Sequence, residues 1–358
     1  MLADFDYFFA QCEEKRNPSL KDKPVIVCVY SGRTEDSGAV STANYLARSY
    51  GVRSGMPIAV AKKRLENMDA VFLPVDHEFY EAVSGRIMNI LRGFADAFEQ
   101  GGVDEAYLDA SKRVEGDFDR AKALVQDMKT AVKVQEGVTF SVGVGPNKLV
   151  AKMASDMQKP DGLTIVKPDE VESFLAPLPV DRLLGVGQKT MEKMQTLNIR
   201  TISDLVHFDA QKLIEVFGKR LGAYFHNAAV GIDDDPVQER GEAESIGRIA
   251  TLKEDTRDLL AILEKVNALC VDIAAGVAQR HVSYSSVGIM AVMTDMTVRS
   301  RSKTLESPSD DLATLQTAVK ELYEKLLSEI DVKVRRAGVK VAGFVEDVKK
   351  QKALTDFV

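Results

Sequence analysis

Apolar positions along this chain keep two spacings, and the alternation between them marks out regions. Up to about residue 165, short apolar runs predict strands over 25–29 (VIVCV, after Pro24), 103–108 and 139–144. Helices are predicted over 42–50, closed by Gly51, and over 78–98, where Tyr80, Val83, Ile87, Ile90, Leu91 and Phe94 recur at helical spacing. A third, over 148–157, stops at the turn Lys159-Pro160-Asp161-Gly162. Residues 166–232 differ: short helices punctuated by Gly and Pro, with glycine turns in LLGVGQKT at 183–190 and VFGKRLG at 216–222. Residues 233–245, DDDPVQERGEAES, are polar and read as a linker. From 246 to 345 strand-like runs return near 246–252, 284–293 and 338–345, with helices near 256–275 and 311–329. The tail, 346–358, is polar until Leu354 and Phe357. The chain is therefore expected to be α+β and multidomain.

Length agrees, since 358 residues exceed one ordinary core and suggest two to four domains. No apolar run approaches the ~20 residues that span a bilayer. The first residues, MLADFDYFFAQCEE, carry acids where a secretion signal needs bases. Cys12, Cys28 and Cys270 are too dispersed for a disulfide framework or zinc site and read as buried thiols of a cytoplasmic protein. The four histidines are scattered, with no pair at i, i+4. A net charge of −7 argues mildly against a polyanion partner, but such a partner needs local positive potential rather than a positive total.

Local clusters matter more. Arg299, Arg301 and Lys303 in VRSRSKT fall at i, i+2, i+4, so on a strand they face one way and form a basic ridge. KVRR, containing Arg335 and Arg336, is a second basic cluster. The glycine turns, flanked by Lys189, Lys193, Lys219 and Arg220, suit backbone approach to a phosphate. The acids Asp4, in ADFDYFF, and Asp104-Glu105, in VDEAYLD, sit at ends of apolar strands, where burial is costly unless they are paired or hold a metal. Two hard cations clamped by carboxylates are what phosphoryl transfer requires. Asp104 and Glu105 can share one site only at a hairpin tip or bulge, because neighbours on a straight strand point apart. On these residues alone, a turn with surface acids is the favoured reading.

Four strings in this order change that balance: DFDYFFAQCEE at 4–14, SGAVSTANYLARSYGVRSGMPI at 37–58, VDEAYLD at 103–109 and SVGVGPNKLVAKMASDMQKPDG at 141–162. Together they resemble the Y-family DNA polymerases, in the polymerase IV branch of archaeal type. The resemblance implies a right-hand fold: a palm (1–8 and 75–165) with a ferredoxin-like antiparallel sheet, small fingers (9–74), a helical thumb with helix-hairpin-helix turns (166–232), the linker, a little finger (246–345) and a clamp-binding tail (346–358).

It also implies roles. Asp4, Asp104 and Glu105 match the metal-binding carboxylates and Phe5 the backbone carbonyl that joins them, for two Mg²⁺ ions. Phe9 matches the steric gate under the sugar, and Tyr7 lies near the incoming nucleotide. Thr42, Tyr45 and Arg48, also spaced as on one helix face, match the triphosphate contacts of the fingers, with Lys159 a further one. Gly185, Gly187, Lys189, Gly218 and Lys219 match the thumb's DNA contacts. Arg248, Arg299, Arg301, Lys303, Arg335 and Arg336 match those of the little finger. Gln351, Leu354 and Phe357 match a clamp-binding peptide, with Val358 where a second aromatic is common. The implied partners are primer-template DNA, deoxynucleoside triphosphates and a sliding clamp; the implied activity is error-prone translesion synthesis by a monomer.

Two departures from the family pattern carry expectations. Only Met1, Leu2 and Ala3 precede Asp4, which predicts a clipped first strand, or a misplaced start codon, and a loosened carboxylate. Gly101-Gly102 stand where relatives carry larger residues, which predicts a softened hairpin. A palm-type nucleotidyl cyclase and a catalytically weakened, clamp-bound DNA-binding protein are the alternative readings.

Overall fold

The computed structural model describes residues 1–239, 241 and 243–346. They divide into two compact units, one of residues 1–28, 40–56 and 61–239, the other of 29–39, 57–60 and the described part of 241–346. In chain order the strands are β1 (Leu2–Phe5), β2 (Val25–Tyr30), β3 (Gly38–Ala43), β4 (Val71–Pro74), β5 (Ala97–Gln100), β6 (Glu105–Asp109), β7 (Phe140–Val144), β8 (Leu163–Ile165), β9 (Ser245–Thr256), β10 (Val282–Met293), β11 (Val298–Ser309) and β12 (Val334–Glu346).

The first unit is built on a five-stranded sheet in the order β5-β6-β1-β7-β8. Its pairs are antiparallel except β7–β8, which is parallel, so the antiparallel sheet expected from the sequence carries one parallel edge. β1 lies in the middle. Leu2 and Asp4 register with Tyr107 and Glu105 on one flank, and Asp4 and Phe5 with Ser141 and Phe140 on the other. Side-chain alternation sends Ala3 and Phe5 into a core with Tyr80, Ile87, Leu91, Val125, Met128 and Phe140. Leu2 faces the opposite side, against Tyr107, Ala151 and Val237. Burying each large apolar side chain contributes about 1.5–3 kcal/mol. Only three residues precede Asp4, yet two ladders grip β1 along its length, and the expected loosening is not seen.

Three element boundaries differ from the sequence reading. The helix expected over 42–50 is only Tyr45–Ser49, and Thr42 belongs to β3. The cause is Asn44, whose side-chain oxygen accepts from Ala47 N (3.0 Å) and Val25 N (3.1 Å), capping the helix and ending the strand together. The helix expected over 78–98 is His77–Arg92, and Phe98 belongs instead to β5. The stretch 233–245 is not a free linker throughout. Asp233 accepts from Leu149 N at 2.9 Å, Val237 packs on Leu2, and Glu239 pairs with Arg92 at 2.5 Å, so 233–239 is strapped to the sheet-bearing unit.

Between residues 166 and 232, short helices including Gln188–Thr196, Ile202–Val206, Ala210–Phe217 and Lys219–Ala229 enclose a core around Leu175, Met194, Ile202, Leu213 and Phe225, which they share with Leu149, Val150 and Met153 of the helix Lys148–Ser155. In the second unit an antiparallel sheet, β11-β10-β12-β9, is covered on one side by the helices Leu259–Arg280 and Leu312–Glu329. The buried Tyr323 hydroxyl accepts from Gly338 N at 3.0 Å there. Among the described residues no helix is long and apolar enough to cross a membrane, and all three cysteines are buried and outside any disulfide.

Candidate active site

β1 and β6 bring the predicted acids together. Asp4 and Glu105 are direct cross-strand partners, and Phe5 N donates to Asp104 O at 2.7 Å, which sets Asp104 beside them at the end of the β5–β6 hairpin. The hairpin is not soft. Gly101 N and Gly102 N both donate to the Glu105 carbonyl, at 2.9 and 3.2 Å. A Cβ at Gly101 would come within 3.0 Å of the Glu105 side chain, so a glycine there leaves room for that carboxylate. Asp104 therefore lies just ahead of β6, at a hairpin connection, as two adjacent acids sharing a site require.

Two lysines answer the acids. Lys152 donates to Asp4 Oδ2 (2.9 Å) and Glu105 Oε2 (2.5 Å), while Lys159 reaches Asp4 Oδ1 and Asp156 Oδ1, both at 2.7 Å. Desolvation and then the Asp4 and Glu105 charges push the Asp104 carboxyl above its usual range. Burial pulls the Lys152 ammonium down, but Asp4 and Glu105 more than offset it and hold it above the ordinary value. With Asp4 and Glu105 turned onto lysines, no three acid, histidine or cysteine groups among the described residues converge closely enough to hold an ion as they stand. The donor set is nonetheless all hard oxygen, which suits magnesium or manganese.

A cavity of about 210 Å³ opens beside the acids, and its lining joins Asp4, Asp104, Tyr7, Thr42, Tyr45, Arg48 and Lys159. Each arrives by a different route. Tyr7 precedes the helix Phe8–Arg16 with a left-handed φ of 35°. Its hydroxyl donates to Glu14 at 3.2 Å and its ring meets Tyr45 edge-on, 5.3 Å between centroids. Burial, then the Glu14 carboxylate, raises the Tyr7 phenol. Thr42 comes from β3, whereas Tyr45 and Arg48 come from the next helix, so the common helix face inferred from their spacing is wrong although the shared cavity is real. Arg48 Nε donates to Ala43 O at 2.8 Å and its guanidinium lies 5.0 Å from the Tyr45 ring centre. Phe9 stacks on the buried Tyr80 at 4.3 Å, and Tyr80 donates to buried Glu13 at 2.7 Å. A larger cavity, of about 440 Å³, is lined by Met1, Asp109, Asp117 and Asp233 among others and contains none of the predicted nucleotide contacts.

Gly187 and Gly218 each cap a helix, Gln188–Thr196 and Lys219–Ala229. A Cβ at either would meet nothing within 4 Å, so the backbone there is uncovered, although Gly218 N already donates to Ile214 O at 2.9 Å; Lys189 and Lys219 are exposed beside them. Gly185 has a φ of +86° and abuts Tyr224. On β11 the basic ridge does face one way, but the register pairs Arg299, Arg301 and Lys303 with buried Ala291, Ile289 and Val287. Cross-strand partners share a face, so the three cations sit on the side that carries the helices, with Arg299 and Lys303 still exposed. Arg301 pairs with Glu329, and Lys303 with Glu321 at 2.6 Å, both on the helix Leu312–Glu329. The uncovered side presents a concavity of about 710 Å³ with Gly247, Gly288, Met290, Ser302, Gly338 and Lys340 in its lining. Arg248 and Arg336 are exposed, and Arg335 lies 3.6 Å from Asp255. Gln351, Leu354 and Phe357 lie outside the described residues.

Sequence reasoning missed Lys152, Glu14, Tyr80 and Asp6. Asp6 is 1% exposed, and burial pushes its carboxyl up. For Lys152 a signal existed: with Lys148 it falls at i, i+4, and Lys148 pairs with the buried Glu99 at 2.7 Å.

A family model described as "impB/mucB/samB family" matches residues 3–156, its C-terminal domain model matches 243–354, and one described as "DNA polymerase-iota, thumb domain" matches 181–233. Among curated relatives, a protein of Nitrosopumilus maritimus named DNA polymerase IV is 45% identical over 99% of this chain and 97% of its own. One of the same name from Methanosarcina acetivorans is 46% identical over 99% of this chain and 98% of its own. Among solved structures, the "Y-family DNA polymerase chimera Dbh-Dpo4(243-245)-Dbh" superposes with a TM-score of 0.90 at 36% identity, covering 97% of this chain and 99% of the other. The "Insertion ternary complex of Dbh DNA polymerase" gives 0.68, also at 36% identity and with the same coverage.

Proposed function

Because this chain belongs to the Y-family DNA polymerases, in the polymerase IV branch, we propose that it extends a primer on a DNA template by the chemistry of Asp4, Asp104 and Glu105. It is a DNA-directed DNA polymerase of the translesion class. The carrying observation is that one small cavity unites Asp4 and Asp104 with Tyr7, Thr42, Tyr45, Arg48 and Lys159, drawn from segments more than a hundred residues apart, while Glu105 is the cross-strand partner of Asp4. Asp4, Asp104, Glu105 and the Phe5 carbonyl would hold two Mg²⁺ ions. Such ions would supply activation of the primer 3′-hydroxyl and charge to balance the triphosphate.

The rest falls to the chain itself. Arg48, Lys159, Tyr45 and Thr42 bind and orient the triphosphate, the Arg fork matching two phosphate oxygens. Tyr7 walls the sugar side. Phe9, backed by Tyr80, stands under the sugar and excludes a 2′-hydroxyl. The palm is assigned to 1–8 and 75–165, the fingers to 9–74, the thumb to 166–232 and the little finger to 246–345. Gly185, Gly187, Lys189, Gly218 and Lys219 take one stretch of backbone phosphates. Arg248, Arg299, Arg335 and Arg336 take another, with Arg301 and Lys303 joining when they leave their glutamates. Gln351, Leu354 and Phe357 bind the sliding clamp, raising local concentration on DNA. The cyclase alternative is set aside, since thumb and C-terminal domain models both match, and the non-catalytic one because relatives matched over 99% of this chain are named DNA polymerase IV.

Primer extension with Mg²⁺ on undamaged template tests the assignment. Asp104→Ala and Glu105→Ala are each expected to abolish extension with DNA affinity within about twofold of the parent. Near-normal extension by either would refute the metal-holding role.

A further inference from the structure

Asp6 is 1% exposed in the lining of the candidate cavity, and nothing in the chemistry above uses it. An ionised carboxylate can only accept hydrogen bonds, and this one is surrounded by donors. Ser141 Oγ donates to Oδ1 at 2.7 Å, and Thr139 Oγ1 and the Asp161 backbone N–H donate to Oδ2 at 3.2 and 2.8 Å. The first two partners belong to β7 and the residue just before its neighbour Phe140. The third belongs to the turn Lys159-Pro160-Asp161-Gly162.

That turn decides where Lys159 stands. Asp161 has a φ of +53°, and a Cβ on Gly162 would meet the Gln158 carbonyl at 1.9 Å, so this backbone is tightly folded. It is tied down from outside by Lys129, which donates to Asp161 O and Gly162 O at 2.6 and 3.0 Å. It is tied down from inside by Asp6. Lys159, two residues before the anchored amide, reaches Asp4 at 2.7 Å. One strand end thus touches this turn twice, with Asp4 meeting the cation and Asp6 meeting the backbone that carries it.

We propose that Asp6 is a positioning residue for nucleotide binding, holding the 159–162 turn through the Asp161 amide so that the Lys159 ammonium is aimed at the triphosphate of the incoming nucleotide. This rests on the triphosphate reading of Lys159. It distinguishes Asp6 from Asp4 in the DFD string: both line the cavity, but the first is paired with the cations Lys152 and Lys159, and the second accepts from the scaffold that carries Lys159.

The test is single-nucleotide insertion by the full chain with KM and kcat resolved, for Asp6→Ala, Asp6→Asn, Lys159→Ala and the Asp6→Ala/Lys159→Ala pair. Lys159→Ala should raise KM for the nucleotide about tenfold, and Asp6→Ala about fivefold, with kcat changed less. Asp6→Asn should stay within about twofold of the parent. Its amide oxygen can keep Asp161 N while its NH₂ turns to the Ser141 hydroxyl, which can accept. In the Lys159→Ala background, Asp6→Ala should add less than about twofold.

An equal KM effect of Asp6→Ala with and without Lys159 would overturn the proposal, because Asp6 would then act on the fold at large. So would a loss by Asp6→Asn matching that of Asp6→Ala. An unchanged KM in Lys159→Ala alone would remove the underlying reading, and the proposal with it, independently of any change at Asp6. Should Asp6→Ala not fold, a backbone ester at the Asp161 amide deletes the same hydrogen bond with Asp6 intact. The same rise in KM is expected, and no rise would overturn the proposal.

Discussion

Replacing Lys152 by methionine keeps the length and apolar stem of the side chain and removes its ammonium. In the structure that ammonium joins Asp4 and Glu105, and the three side chains are 21%, 13% and 26% exposed. A hydrogen bond to a charged group contributes about 1.5–3 kcal/mol when well buried. Here partial solvent access screens both bonds, and Lys159 still serves the second oxygen of Asp4. The net loss is therefore about 2 kcal/mol rather than the sum of two full bonds. For a unit of this size about 1 kcal/mol moves the midpoint by about 2–4 °C, so melting of the sheet-bearing unit should fall about 4–8 °C in EDTA near pH 7. A divalent cation at the same carboxylates supplies the missing charge and adds binding free energy to the folded state alone. Millimolar magnesium should then recover at least about half of the loss and stabilise the variant more than the parent. Thermal scanning of both proteins in the two buffers decides it. A deficit of equal size with and without magnesium, or none in EDTA, would refute the idea that Lys152 and a divalent ion serve the same acids.

Further tests address the gate, an ion pair and the second unit. Phe9→Ala should raise ribonucleotide insertion relative to deoxynucleotide by at least about tenfold; an unchanged ratio in paired insertion assays means Phe9 is not the gate. Arg86 first, with Lys15, holds the Glu136 carboxyl below its ordinary 4.5. A lowered carboxyl contributes stability that is whole above the ordinary value and lost as pH falls through the depressed one. Glu136→Gln should therefore cost about 1–2 kcal/mol at pH 7. That difference should shrink on acidifying from pH 4.5 through the depressed value, and urea titrations showing a constant difference would contradict the assignment. Tyr323→Phe leaves Gly338 N without its acceptor and should destabilise the second unit by about 1–3 kcal/mol, read as an earlier unfolding transition with unchanged slope.

What the sequence made legible has a physical pattern. Asp4, Asp104 and Glu105 stood out because an acid ending an apolar strand is an anomaly that local reasoning can see. The glycine turns stood out because few residues tolerate such backbone. Thr42 was misplaced on a helix because its spacing from Tyr45 and Arg48 fits one, whereas the decisive interaction, Asn44 reaching Val25 N, spans nineteen positions. The basic ridge was read correctly as facing one way, but which way depends on register with β10, and its glutamate partners lie on a helix that follows. Asp6 was silent for the same reason: its donors come from residues 139, 141 and 161, and nothing in DFDYFF announces them.

Carrying Asp4 on the innermost strand also bears on how the protein fails. Edge strands such as β5 and β8 can fray individually, and their amides should exchange with solvent through small local openings. β1 cannot part from one neighbour without remaining held by the other, so its amides exchange only when the whole sheet opens. On warming, catalytic competence should then persist until the domain itself is lost, instead of fading ahead of it.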